Sequence, residues 1–397
     1  MIRVEDAHQI VISHARDFGI VELPLELSVG RTLREPVLAD RPMPPFDRVM
    51  MDGIAIRIDQ FEKGQRAFPV AGMAAAGSPR QSLVDQKKCI EVMTGAILPA
   101  NVDTVVRYED LRIENGQATL LVDQLKRNQN IHFQGSDRKA GEVLVRPGVP
   151  LSAREIGVCA AVGKSNLKVS KLPKVLIIST GDELVRIDEE PLPHQIRRSN
   201  VYQIQAALRS RRLASETTHL NDRYDQIVNF LNKALREYEV ILISGGVSMG
   251  KFDFLPDALE AVGVVKHFHR VAQKPGKPFW FGTHPEGATI FAFPGNPVSS
   301  FVCLCKYFFP WLEASLQQNP QPVQSASLSE DVITKPDLTH FLEVKLVFGA
   351  NGQLVAEPVR GKGSGDLANL VRVDAWMELP TGTEICQKGD VFPLISF

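Results

Sequence analysis

The sequence predicts a multidomain chain in which a central α/β domain is joined to further β-rich domains. Three observations carry this. Between Lys174 and Leu312, short apolar runs alternate with amphipathic helical stretches, the order expected of a parallel sheet covered by helices. From about Asp47 to Gly141, and again beyond Ser327, the pattern changes to short β-like runs separated by tight turns. The chain has 397 residues, too many for one ordinary core, and that length suggests roughly two to four domains.

The elements follow in order. Val4, Ala7, Ile10, Val11, Ala15 and Phe18 fall on one helical stripe that Gly19 can end. Residues 22–45 read as extended, with Pro42, Pro44 and Pro45 at their end. The next stretch reads as an all-β insertion, with runs at Cys89–Met93 and Asp103–Val106 and a hairpin signal at Glu114-Asn115-Gly116-Gln117. Residues 142–170 hold a short β-like piece and a helix from Ala153 to Val162. The α/β part predicts strands at Lys174–Ser179, Val240–Ser244, His267–Ala272 and Thr289–Phe293. Its helices are predicted at Asn200–Arg212, Asp222–Tyr238 and Pro297–Leu312; in the second, Ile227, Phe230, Leu231, Ala234 and Leu235 make the buried face. Gln317–Ser327 reads as a linker. A hairpin over Phe341–Val359 then opens a small barrel or sandwich.

Composition narrows the function classes. The formal net charge of −1 gives no case for nucleic acid or an anionic membrane as partner. No apolar run reaches membrane-spanning length, and the N-terminus lacks the basic and apolar regions of a signal peptide. The five scattered cysteines suit reduced thiols in a cytoplasm.

The chemistry concentrates in Gly- and Pro-rich turns after strands. Such turns expose backbone N–H groups, and glycine lets a ligand approach closely. Ser244-Gly245-Gly246-Val247-Ser248 is one; Lys274-Pro275-Gly276-Lys277-Pro278 and Pro294-Gly295-Asn296-Pro297-Val298-Ser299 are the others. Together they predict one anion site at one sheet edge. The two lysines held in a stiff loop favour an oxyanion. Free N–H groups at the helix beginning at Pro297 favour a dianion, though an ordinary strand-to-helix loop reads the same way. Thr180-Gly181-Asp182-Glu183-Leu184 offers a carboxylate pair for a hard cation, or an Asp182 that only caps a turn. Gly245 to Lys251 fits a phosphate-binding G-x-x-x-x-G-K, but Phe252 stands where Ser or Thr must ligate the metal, which excludes an ordinary triphosphatase loop. Asp253 is either a functional carboxylate or a solvated one. Asp52-Gly53, Thr94-Gly95 and Gly135-Ser136-Asp137 read as polar turns. His267 and His269 alternate without a ligand cluster, and Cys303 and Cys305 point to different helix faces.

As an ordered set these elements resemble the molybdopterin molybdenumtransferase family (MoeA in bacteria, the E domain of gephyrin in animals). The resemblance rests on Pro-Pro-Phe-Asp with Met-Asp-Gly at 44–53, Met-Thr-Gly-Ala at 93–96, Gly-Ser-Asp at 135–137 and Ser-Thr-Gly-Asp-Glu-Leu at 179–184. It continues through Arg-Arg-Ser-Asn at 197–200, Ser-Gly-Gly-Val-Ser at 244–248, Lys-Pro-Gly-Lys-Pro at 274–278 and Pro-Gly-Asn-Pro-Val-Ser at 294–299. It implies an L-shaped homodimer of four-part subunits. Residues 1–20 with 171–318 would form the α/β domain, similar to molybdopterin adenylyltransferase. Residues 21–42 with 142–170 would be a small connecting domain, 43–141 the β insertion, and 319–397 a C-terminal β-barrel.

The resemblance also implies a reaction and its residues. Adenylylated molybdopterin and molybdate would react with Mg²⁺, release AMP and leave molybdenum on the dithiolene, in the cytoplasm. A molybdopterin adenylyltransferase and molybdoenzymes would be its neighbours in the pathway. Glu183 and Asp253 are the implied metal ligands, with Asp182 and Asp222 as further oxygen donors. Lys274 and Lys277 would hold the oxyanion. Asp52, Thr94 and Asp137 would reach the other subunit's cleft. Gly245, Gly246, Ser248, Pro294, Gly295, Asn296 and Pro297 would line the pocket, and Ser364 would come from the barrel. Val49, Ile54, Ser136 and Lys251 depart from the family pattern. A non-catalytic cofactor-binding scaffold of the same fold is the rival reading; a phosphotransferase using Gly245–Lys251 is a third.

Overall fold

The computed structural model describes residues 1–247 and 254–397. They divide into two compact units. One holds Met1–Arg34, Gly148–Ser152 and Leu167–Phe397; the other holds Glu35–Pro147 and Ala153–Asn166.

The first unit is built on a six-stranded sheet. Its spatial order is Ser215–Leu220, Val175–Thr180, Val240–Ser244, Thr289–Phe293, Trp280–Thr283 and Val265–His269. The first four strands pair in parallel and the last two join by antiparallel pairings, so that only Trp280–Thr283 runs against the rest. The sheet is therefore mixed rather than parallel throughout. The strand expected at His267–Ala272 is shifted to Val265–His269 and lies at the antiparallel edge. Ser215–Leu220 has no strong apolar signal of its own, and pairing to the apolar centre makes it a strand; Trp280–Thr283 continues the short aromatic run from Phe279.

That centre is continuous in sequence because both sheet faces are covered. Val175, Ile177, Val240, Leu242, Phe291 and Phe293 face one core, with helices Val4–Ser13 and Asn200–Ser210 and the helical run from Pro297. Leu176, Ile178, Ile241, Ile243, Ile290 and Ala292 face the other, under helices Tyr224–Glu237 and Leu255–Ala261. The face expected of the Tyr224–Glu237 helix is the one that packs. The first helix ends at Ser13, short of the Gly19 expected to end it. Phe18 instead makes an edge contact with Trp311, ring centroids 6.1 Å apart. The run expected as one helix from Pro297 contains a π turn at Leu304–Phe308, between α segments Pro297–Cys303 and Phe309–Ser315.

The C-terminal strands close into a barrel of five: Thr339–Phe348, Leu354–Pro358, Ser325–Leu328, Val391–Ser396 and Ala375–Leu379, which returns to the first. The two-residue strand Gln273–Lys274 adds to its edge beside Thr339–His340. His340, partly buried there, is pushed down to about 4 by burial and then by the neighbouring Lys274 charge.

The second unit centres on a six-stranded sheet, with Gly53–Ile56 between Thr104–Arg107 and Cys89–Val92. The expected hairpin is present as Leu111–Glu114 with Gln117–Leu120. A short helix, Ile58–Glu62, makes the insertion β-rich rather than all-β. Among the described residues no helix is long and apolar enough to cross a membrane.

Two outcomes follow for stability. A Cβ on Gly53 would lie 1.9 Å from the Val106 carbonyl oxygen, so Gly53→Ala must push apart a pair of hydrogen-bonded strands. It should cost about 3 kcal/mol or more, read as early hydrogen exchange across Gly53–Ile56 and Thr104–Arg107; unchanged exchange there would refute it. His340 binds its proton less readily folded than unfolded. Between the unfolded value near 6.5 and about 4, the unfolded chain holds a proton the folded one refuses, so stability falls as pH drops through that window. His340→Asn should flatten that segment of a denaturation-against-pH curve.

Candidate active site

At the C-terminal edge of the parallel strands lies a cavity of about 660 Å³. Its walls are the turns that leave the strand ends. Thr180, Gly181 and Glu183 come at and after the end of Val175–Thr180, Asp222 after Ser215–Leu220, Gly245 to Val247 after Val240–Ser244, and Pro294 to Pro297 after Thr289–Phe293. Such an edge, where strand order reverses, is where ligands bind in open α/β sheets.

The two glycine turns come within van der Waals reach of each other. Gly245 has φ +100°, and a Cβ there would sit 2.8 Å from the Thr180 carbonyl oxygen. A Cβ on Gly295 would sit 3.9 Å from the Gly245 Cα. Asn200, at the start of its helix, joins them: its Nδ2 donates to Ser244 Oγ at 2.8 Å and to the Gly295 carbonyl at 2.7 Å. Asn296 Nδ2 donates to Ser364 Oγ at 2.8 Å, which brings the expected serine of the C-terminal region to this edge. The Val298 amide donates to the Ser364 carbonyl at 3.2 Å. One helix-start amide expected to be free for an anion is therefore already used.

Glu183 and Asp222 both line the cavity. Asp182 does not; its Oδ1 accepts from the Asp222 amide at 3.2 Å, so it fixes the turn that presents Asp222. Arg197 and Arg198 line the cavity with the opposite charge. Ser179 Oγ lies 3.0 Å from Nδ1 of His219. Burial, and then the Arg198 charge, hold His219 below its ordinary range. The buried Thr180 Oγ1 and Arg198 Nε have no hydrogen-bond partner among the described residues. Both belong to cavity-lining residues, and their open valences suit a polar ligand.

Lys274 and Lys277 are exposed, and of their loop it is Pro278 that lines the cavity. The cavity is thus lined by residues of both glycine turns and by Pro278 at the end of the lysine loop, and by neither lysine. The expected Ser248 and Asp253, and Lys251 of the G-x-x-x-x-G-K match, lie outside the described residues.

In the second unit, Asp52 and Thr94 meet. Asp52 Oδ1 accepts from the Thr94 amide at 2.6 Å and from Thr94 Oγ1 at 2.7 Å. These two donors hold the Asp52 carboxyl below its usual range. Asp137 Oδ1 is 2.7 Å from His132 Nε2, and Arg48 donates to His132 Nδ1 at 3.0 Å. Ser136 Oγ donates to Asp137 Oδ1 at 3.4 Å. Val49 and Ile54, which depart from the family pattern, are wholly buried core residues.

Asn200, Arg198 and Thr180 were not among the predicted site residues. The Arg-Arg-Ser-Asn stretch at 197–200 was the only signal for the first two. Thr180 reads as the first residue of the turn after a strand ending at Ser179, whereas it is the last residue of that strand.

The chain matches three family descriptions in succession. "MoeA N-terminal region (domain I and II)" covers residues 2–163, "Probable molybdopterin binding domain" 176–314, and "MoeA C-terminal region (domain IV)" 325–397. It is 41% identical over 400 residues to a molybdopterin molybdenumtransferase of Synechocystis sp., with all of both chains covered. A protein of the same name from Staphylococcus epidermidis is 27% identical over 402 residues, covering 99% of this chain and 95% of that one. The crystal structure of a molybdopterin biosynthesis MoeA protein from Pyrococcus horikoshii OT3 superposes with a TM-score of 0.86 at 26% identity, covering both chains fully. Full-length identity to the Synechocystis protein and three consecutive matches place this chain in the MoeA family of molybdopterin molybdenumtransferases.

Proposed function

We propose that this chain inserts molybdenum into molybdopterin, taking adenylylated molybdopterin and molybdate and releasing AMP with the help of Mg²⁺. The observation that carries the reading is the cavity, where two glycine turns, two carboxylates and two arginines converge at one sheet edge. A substrate with phosphates and a flat polar ring system needs that combination. Backbone N–H groups of Gly246, Val247, Gly295 and Asn296 donate to phosphate oxygens, the Gly245 amide being held by the Phe293 carbonyl at 3.1 Å. Arg197 and Arg198 offset their charge. Asn200 ties the two turns together, and Thr180 Oγ1 offers a further hydrogen bond.

The carboxylates suit a hard cation. Mg²⁺ takes one or two carboxylates with substrate phosphates and waters rather than an all-protein cage. Glu183 and Asp222 supply such oxygens at the cavity wall. Among the described residues there is no cluster of three His, Cys, Asp or Glu able to hold a metal by itself. Two cavity-wall carboxylates suit an ion that arrives with the nucleotide; when bound, it would neutralise phosphate charge. In this reading Glu183 and Asp253 are the metal ligands, Asp222 is a further oxygen donor, and Ser248 is a further substrate contact. Lys274 and Lys277 hold the tetrahedral molybdate and the charge that develops beside it.

Asp52, Thr94 and Asp137 complete the site in a homodimer, each subunit lending its β insertion to its partner. The four-part division into 1–20 with 171–318, 21–42 with 142–170, 43–141 and 319–397 belongs to the same proposal. So do a cytoplasmic setting, supply by a molybdopterin adenylyltransferase and delivery to molybdoenzymes.

Two measurements test this. Purified protein with adenylylated molybdopterin, Mg²⁺ and molybdate should release AMP in step with molybdenum bound to the pterin. Glu183→Gln should slow that release on the order of a hundredfold with unchanged circular dichroism. AMP release at the wild-type rate in Glu183→Gln would sink the assignment. Mixing unfolded-and-refolded Asp52→Ala and Glu183→Ala chains should restore about a quarter of the wild-type sites, because half the random dimers carry one intact site. No recovery in a mixture shown to contain mixed dimers would overturn the shared site and place Asp52 and Glu183 together within one subunit.

A further inference from the structure

Beneath the Lys274–Pro278 loop runs a buried polar chain that the proposed chemistry does not use. Gln273 is 1% exposed. Its Nε2 donates to the Gly276 carbonyl at 3.0 Å and lies 3.3 Å from Cys303 Sγ. Its Oε1 accepts from the Tyr307 hydroxyl. Tyr307 is itself wholly buried and stacked on Phe279, ring centroids 4.7 Å apart at 24°. It sits in the π turn Leu304–Phe308, a widening of the helical run that brings this hydroxyl to Gln273. Such turns interrupt helices mostly where a side chain must be presented.

The loop rests directly on these side chains. Gly276 has φ +94°, and a Cβ there would lie 2.6 Å from Gln273 Nε2 and 2.7 Å from Cys303 Sγ. The neck of the loop is closed by the Val271 amide donating to the Lys277 carbonyl at 3.0 Å. Lys274 is paired on its other side with His340 of the barrel. The backbone at both lysines is therefore pinned from below, at the neck and at the barrel edge, while both ammonium groups stay exposed. An apolar filling would serve the core as well, since replacing both members of a buried hydrogen-bonded pair can be nearly neutral. The polar chain adds a fixed direction for the Gly276 carbonyl, and so for the peptide units that carry the lysines.

We propose that Gln273 and Tyr307 are positioning residues that set the lysine loop for its oxyanion substrate. Neither touches substrate. The inference rests on the proposed function, in which Lys274 and Lys277 hold molybdate. Misplacing such groups by a fraction of their bond length weakens the contact without removing the charge.

The test compares Tyr307→Phe, Gln273→Met and Lys274→Ala in AMP release, with KM for molybdate, KM for adenylylated molybdopterin, kcat and thermal midpoint measured for each. Tyr307→Phe removes one oxygen, and Gln273→Met keeps the side-chain volume; each is a separate route to the same result. The expected outcome is a molybdate KM raised on the order of tenfold in both, with the KM for adenylylated molybdopterin held. A merely structural role predicts instead a lower thermal midpoint and no split between the two KM values. An unchanged molybdate KM in either folded variant, alongside a raised one in Lys274→Ala, would overturn the inference and leave the proposed function standing. An unchanged molybdate KM in Lys274→Ala would remove the oxyanion role of the loop, and this inference with it.

Discussion

Three strands buried on both faces must end together, and the site depends on that. Val175–Thr180, Val240–Ser244 and Thr289–Phe293 pair in parallel register, so Ser179 lies beside Ser244 and Ser244 beside Phe293. Their apolar side chains leave no freedom to slip, because a one-residue shift would exchange the two cores. The turns beyond them therefore emerge at one level. Chain segments more than a hundred residues apart in sequence are delivered to one cavity wall by hydrophobic packing alone.

The chain at that edge trades closeness against hydrogen bonding. Gly245 must lie against the Thr180 carbonyl, which no side chain permits. The backbone so exposed needs partners, and Asn200 and Ser364 supply some of them. Thr180 Oγ1 and Arg198 Nε are left without one among the described residues. Both atoms belong to residues of the wall that the glycines open.

The lysine loop obeys a different constraint. It leaves the antiparallel edge of the sheet and joins the barrel through Gln273–Lys274. Between two strands of the sheet the chain thus pairs briefly with the barrel. A loop so placed gains direction from both, and the Gln273–Tyr307 contact adds a third anchor from the helical layer. In the second unit, Asp52 and Asp137 are likewise oriented by neighbours, Thr94 and His132, before any ligand is considered. Pre-oriented groups lose little freedom on binding.

Legible in the residues alone were the strands that are apolar throughout, the helix face at Ile227, Leu231, Ala234 and Leu235, the hairpin at Asn115-Gly116 and the glycine turns after Ser244 and Phe293. Each of these is decided locally, by burial on two faces, by helical period or by backbone freedom. The ordered motifs also carried the family. Folding settled the remainder. Ser215–Leu220 is a strand because the sheet offers it a partner, and the helical run from Pro297 widens at Tyr307 inside its packing against Phe279. Asp182 turns out to hold a neighbouring amide while Glu183 faces the cavity, a difference of one residue that composition cannot express. Asn200 and Gln273 are polar residues whose meaning lies wholly in the groups opposite them. Such contacts join positions far apart in the chain, and no periodicity or turn signal encodes a partner that only folding brings near.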